Sequence, residues 1–140
     1  MKISKVNKKN KKKLDLFSEK EWKKFNRERG YEWKKKKFSF IAEDNGKILG
    51  FIDFKINGGA AYLSQLIVKN NKRGKGIGHL LIKKFEDFAK KKRCHVAYLE
   101  TSEKHKEALK FYKKHNYKIA AKLKDNKFHF TWYFLVKRLK

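Results

Sequence analysis

The chain has 140 residues, with 40 Lys or Arg against 14 Asp or Glu and a formal charge of +26. That length suits one domain with a sizeable core and excludes two large ones, so residues 1–140 are expected to form a single domain. A lone cysteine, Cys94, excludes an intrachain disulfide, and no apolar run reaches the length of a membrane span or signal-peptide core; a cytoplasmic protein with no membrane partner is expected.

With no proline present, punctuation falls to Gly, Asn and Asp. Residues 1–6, with Ile3 and Val6, predict a first edge strand, and residues 8–13 a solvated charge run. Ser18-Glu19-Lys20-Glu21 has capping-box spacing, with Phe17 and Trp22 placed as a hydrophobic staple. A helix is expected from there to Arg29, ended by Gly30 in the left-handed conformation. Residues 38–42 and 48–54 read as strands joined through Asn45-Gly46, a hairpin signal because both central positions need positive φ. Asn57-Gly58-Gly59 makes the next turn, and residues 60–68 return as a third antiparallel strand.

That strand feeds Arg73-Gly74-Lys75-Gly76-Ile77-Gly78, after which Leu80, Leu81, Phe85 and Phe88 predict a helix packed on a sheet. Residues 96–99 are an apolar run, as expected of a strand covered on both faces, so strand, helix and strand make a right-handed parallel crossover. Ala108, Phe111, Tyr112 and His115 share a face of a short helix that Asn116 can cap. Strands at 117–121 and 128–136, turned by Asp125-Asn126, complete the fold. The class is α+β, a mostly antiparallel mixed sheet with a central parallel βαβ crossover.

Alternating glycines before a helix bare a run of backbone N–H groups, an anion site suited to pyrophosphate, with Arg73 and Lys75 adding positive charge. A glycine-rich turn that only caps a helix would show the same residues. No Gly-Lys-Ser/Thr follows, which excludes a P-loop, and His79 stands where a Rossmann fingerprint wants Gly or Ala. No metal site is expected.

Residues 73–78 resemble the Arg/Gln-x-x-Gly-x-Gly/Ala signature of the GCN5-related N-acetyltransferase (GNAT) superfamily. A second motif of that family, Asn-x-x-Ala-x-x-Phe/Leu-Tyr followed by Gly-Phe, is similar to residues 105–112 and Asn116-Tyr117, with His105 in place of the asparagine and Asn116 in place of the glycine. The resemblance implies the GNAT acyltransferase fold and acetyl-CoA as cofactor. Backbone groups of Leu66, Ile67 and Val68 would pair with the pantetheine arm, residues Arg73, Gly74, Lys75, Gly76, Ile77 and Gly78 would cradle the pyrophosphate, and His105 would reach the cofactor. Tyr112 aligns with the family's general acid for the departing thiolate. Glu100, twelve residues earlier, has the spacing of the base in the branch acting on protein N-termini. Glu100 could instead cap the next helix or pair with a lysine, and Tyr112 could be a core aromatic. Tyr62 and Ser64 occupy places where other branches carry a carboxylate.

The implied reaction transfers acetyl to a primary amine, either a protein N-terminus or a small molecule, by direct attack. Phe17, Trp22, Phe25, Tyr31, Trp33, His129 and Tyr133, with Glu28 and Glu32, are the residues available to an acceptor. No acidic cluster is present for a polycation. The charge admits a nucleic acid or ribosome as partner, or a basic protein that binds nucleic acid or senses CoA without catalysis, although Lys spread through every segment also arises from composition alone. Monomer and homodimer are both compatible.

Overall fold

In the computed structural model, which describes residues 1–140, the chain divides into two units, Met1–Trp33 and Lys34–Lys140. The first is built on helix α1, Lys11–Arg29, which starts a turn and more before Ser18. Asparagines, not the Ser18 capping box, set its beginning. The Asn7 side-chain oxygen accepts from the amides of Lys9 at 2.9 Å and Asn10 at 3.2 Å, and the Asn10 oxygen accepts from the Asn7 amide at 2.8 Å. Lysine-rich sequence is helix-favouring, and a Lys11–Asp15 pair at 2.7 Å supports the first turns. Gly30, at φ 72°, ends the helix as expected, with its own amide on the Arg27 carbonyl and the Tyr31 amide on that of Asn26. No residue of α1 is buried within the fold. Residues 1–6 form no strand: Ile3 and Val6 are exposed, and two branched side chains supply too little apolar surface to hold an edge.

The second unit carries β1 (Lys36–Asp44), β2 (Lys47–Asn57), β3 (Ala60–Val68), α2 (Ile77–Lys91), β4 (Val96–Ser102), α3 (Lys106–Lys114), β5 (Lys118–Leu123) and β6 (Trp132–Arg138). Its six-stranded sheet has the order β1-β2-β3-β4-β6-β5. Only β3 and β4 run parallel. The first hairpin turns on Asn45 at φ 48° and Gly46 at φ 74°, the pair of positive values its sequence calls for.

One face of this sheet is dry. Helix α2 lays Leu81, Ile82, Phe85 and Ala89 on it, joining Ile52, Phe54, Ala61, Leu63, Ala97, Leu99 and Leu135 in a single core. Phe85 meets Phe54 edge to face at 4.8 Å, and burying each such ring contributes about 1.5–3 kcal/mol. Leu80, expected in the packed stripe, is 67% exposed; the face set by Phe85 and Ala89 runs through Leu81 and Ile82, which turns Leu80 outward. Helix α3 lies over β4 on the same side. Hence β4 is not covered on both faces as its apolar run suggests: Ala97, Leu99 and Thr101 are buried, while Val96, Tyr98 and Glu100 are half-buried on the opposite face.

The last strand also differs from expectation. Residues 127–129 form a 3-10 turn with Phe128 at φ 61° and His129 at φ 60°, so β6 begins only at Trp132. Leu135 and Leu139 enter the core, which leaves Phe134 opposite Glu100 on the other face.

Two features open the sheet at its middle. β3 and β4 pair only through Ala60–Val96, Ala61–Ala97 and Tyr62–Tyr98, and then part. Ser64 is a bulge in β3, because Asp53 pairs with Gln65 while Phe54 pairs with Leu63. The bulge shifts the alternation so that Leu66 and Val68, after Ala61 and Leu63, also lie against the core. The gap between the strands is where any extended ligand could enter.

Candidate active site

The loop from β3 into α2 turns on two left-handed glycines, Gly74 at φ 75° and Gly76 at φ 83°. An added Cβ at either would meet nothing within 4 Å. These glycines serve the backbone conformation, and the space above them is open. The Arg73 amide bonds the Asn70 carbonyl, and the Leu80 amide is the first to bond back into α2, to Gly76. Between them, the amides of residues 74–79 have no partner within the protein. Six consecutive donors at the positive end of a helix dipole make an anion cradle. Arg73 anchors the loop, since its Nε donates to the Val68 carbonyl at 3.1 Å. Lys75 is exposed beside it.

The edge of β3 leads into this cradle. The Lys69 amide donates to the Leu49 carbonyl at 2.7 Å, so the alternation of an antiparallel ladder turns the backbone groups of Ile67 toward β2 and those of Leu66 and Val68 toward the gap. Leu66 and the amide of Val68 therefore offer the open edge, the Val68 carbonyl being held by Arg73, while the Ile67 side chain stands exposed on the other face.

Two hairpin-independent contacts clamp the loop to α3. The Gly78 position approaches Phe111, where a Cβ would lie 3.3 Å from the ring. His115 holds Nδ1 against the Phe111 carbonyl at 2.9 Å and must donate there, while its Nε2 lies 2.9 Å from Nδ1 of His79. His79 and His115 carried no such pairing in the sequence reading.

Tyr112, on α3, is buried, and its hydroxyl has no hydrogen-bond partner. Burial pushes its pKa up to about 12, so the phenol stays protonated at neutral pH and is suited to donate. His105 precedes α3, with a ring nitrogen 3.3 Å from the Thr101 hydroxyl and its amide on the Ser102 carbonyl.

Glu100 stands on the other face of β4, two residues beyond the last pairing with β3. Its Oε1 accepts from the Tyr62 hydroxyl at 3.3 Å and from Nζ of Lys127 at 3.3 Å. Desolvation first, and then the Glu100 charge, hold the Tyr62 pKa above its ordinary value, so Tyr62 remains a donor. The lysine pairing left open for Glu100 in the sequence is thus present, and its partner is Lys127. Nothing local signals that pairing across 27 residues. The Ser64 hydroxyl is buried without a partner at the bulge. Glu100 and Tyr112 flank the gap from opposite faces.

A model of the "Acetyltransferase (GNAT) family" matches residues 9–117. The chain belongs to the GNAT acetyltransferase family. An acetyltransferase from Bacillus cereus ATCC 14579 is similar over 99% of this chain and 98% of its own, at 22% identity and a TM-score of 0.80. The ribosomal-protein-S18-alanine N-acetyltransferase of Escherichia coli is similar over 84% of this chain and 76% of its own, at 17% identity and a TM-score of 0.68. A protein assigned as a streptothricin acetyltransferase from Bacillus anthracis str. Ames, solved with acetyl coenzyme A, is similar over 74% of this chain and 62% of its own, at 24% identity and a TM-score of 0.69. At these identities the likeness is one of fold. No curated protein matches.

GNAT enzymes use acetyl-CoA, and the residues present here fit it: a pyrophosphate requires many converging donors, and residues 74–79 supply unpartnered amides beside an open strand edge. The aromatic residues expected for the acceptor fall in both units. Trp22, Phe25, Tyr31 and Trp33 line, with Asn26, a groove of about 500 Å³ in the first unit, and Phe17 is exposed on α1. Glu28 lines a second groove there, beside Glu21. In the second unit, Tyr133 packs against the core and His129 pairs with Asp125 at 2.7 Å. No helix is long and apolar enough to cross a membrane.

Proposed function

We propose that this GNAT protein is an acetyl-CoA-dependent N-acetyltransferase that moves acetyl to a primary amine by direct attack. The observation that carries the reading is the row of unpartnered amides at residues 74–79, set at the end of a β3 edge that β4 has left open. The cradle and the loop residues Arg73, Gly74, Lys75, Gly76, Ile77 and Gly78 hold the diphosphate. Leu66 and Val68 bond the pantetheine arm through the open edge, with Ile67 setting the strand's register on β2. His105, tied to Thr101, borders the cofactor at the start of α3. The bound cofactor supplies an activated thioester.

Glu100 takes the proton that an alkylammonium must lose before it attacks, and Tyr112 gives one to the leaving sulfur. The family match includes α1, which supports reading residues 1–140 as one catalytic domain. A buried free cysteine suits a cytoplasmic setting. A thermal shift titration tests the reading. Acetyl-CoA at a hundredfold excess over its Kd adds about 2.7 kcal/mol of stability, whereas an unchanged Tm at saturating concentrations overturns the assignment.

A further inference from the structure

Lys127 is held in a way that its contribution to stability does not explain. It opens the turn between β5 and β6, where Asp125, Phe128 and His129 take φ values of 47°, 61° and 60°. A left-handed conformation at a bulky residue such as Phe128 costs of order 1–3 kcal/mol. The Trp132 indole N–H donates to the Lys127 carbonyl at 3.0 Å, and the Lys127 ammonium lies 4.5 Å from the centre of the Trp132 ring. The carbonyl is held by the indole, and the charge reaches Glu100 at 3.3 Å. The Lys127 side chain is 51% exposed, and such a pair contributes at most about 1 kcal/mol, no more than the cost of one left-handed residue in the same turn. The arrangement serves placement: a primary alkylammonium sits on the carboxylate where the proposed reaction requires one.

We propose that Lys127 is an internal acceptor, a modification site acetylated by the molecule that carries it. This rests on the acetyl-CoA reading above. The ammonium passes a proton to Glu100 and then to solvent, the freed Nζ lone pair forms a C–N bond to the acetyl carbonyl carbon, and the nitrogen then gives up a second proton by the same route. The C–S bond breaks, its electron pair leaves on sulfur, and Tyr112 protonates that sulfur before recovering a proton from solvent. The products are ε-acetyl-lysine, free CoA thiol and one released proton. Acetylation removes the charge, so the ion pair with Glu100 is lost and the carboxylate becomes available to an external amine.

The test incubates full-length protein with acetyl-CoA and maps acetyl-lysines by peptide mass spectrometry over time, in wild type, Glu100→Gln and Tyr112→Phe. Lys124, exposed in the same turn, reports uncatalysed acylation. Lys127 is expected to react at least about tenfold faster than Lys124, at a rate independent of protein concentration, and to lose that advantage in both variants. A second measurement needs no acetyl-CoA: an amine-reactive label marks Lys127 less than Lys124 in wild type and equally in Glu100→Gln. Equal acetylation of Lys127 and Lys124, or an advantage that survives both substitutions, overturns the proposal while a persisting acetyl-CoA thermal shift leaves the enzyme reading standing. Loss of the shift itself overturns both.

Discussion

Replacing Tyr112 by Phe separates what the ring does from what the hydroxyl does. The ring is 7% exposed and lies against Phe111 and Tyr117 at 5.3 and 5.8 Å, contacts that phenylalanine retains. Its hydroxyl bonds nothing in the protein, so at neutral pH the substitution should change stability by less than about 0.5 kcal/mol. At alkaline pH the two proteins diverge. The folded pKa is raised from 10.0 to about 12 by burial, so the folded state keeps a proton that the unfolded chain has released. The stabilisation is complete below about pH 10 and lost as pH rises through about 12, amounting to about 1.4 kcal/mol at pH 11 and about 2.7 kcal/mol in full. Urea unfolding at two alkaline pH values should show this loss in wild type and its absence in Tyr112→Phe, the Tyr117 contribution being common to both. Removing a general acid costs roughly 10²–10⁴ in rate, so kcat should fall by that factor while the acetyl-CoA thermal shift is kept. A kcat within about threefold of wild type would refute the acid role. Joint loss of stability and cofactor binding would make Tyr112 a packing residue.

Further outcomes follow from the same geometry. Gly76→Ala meets no atom within 4 Å but must hold φ 83°, so it should cost about 1–2 kcal/mol in denaturant unfolding and weaken acetyl-CoA stabilisation. Gly50→Ala would place Cβ 2.8 Å from the Ile67 carbonyl oxygen and 3.3 Å from a Leu81 methyl, and should cost about 1–3 kcal/mol by overpacking. Glu86, 1% exposed, accepts from the Tyr117 hydroxyl at 3.0 Å and pairs with Lys137 at 2.8 Å. Glu86→Gln should cost about 3 kcal/mol, the lower end for a broken buried pair because the Lys137 side chain is 20% exposed; an effect below about 1 kcal/mol would show that water already screens it.

Where local rules act alone, the sequence was enough. Asn45-Gly46 can be read because positive φ is decided within the turn, and Gly30 ends α1 for the same reason. The glycine loop was legible because its shape rests on left-handed φ values at Gly74 and Gly76, which side-chain packing does not rearrange. Apolar spacing found α2, yet its phase was not determined: Leu80 and Ile82 are equally apolar, and only the sheet beneath selects Ile82. Charge near residue 10 hid a helix start that depends on two asparagine side chains bonding each other's backbone.

The site divides along the same line. Sequence by itself determined the βαβ crossover and the alternating glycines of its loop, since each is a matter of motif and periodicity over a few residues. Tertiary structure alone decided that β3 and β4 part after Tyr62 and Tyr98, that Glu100 and Tyr112 stand on opposite faces, and that Lys127 reaches Glu100 across 27 residues. Those outcomes depend on which chain segments become neighbours, and that is settled by burying one face of the sheet beneath α2 and α3 rather than by any local preference.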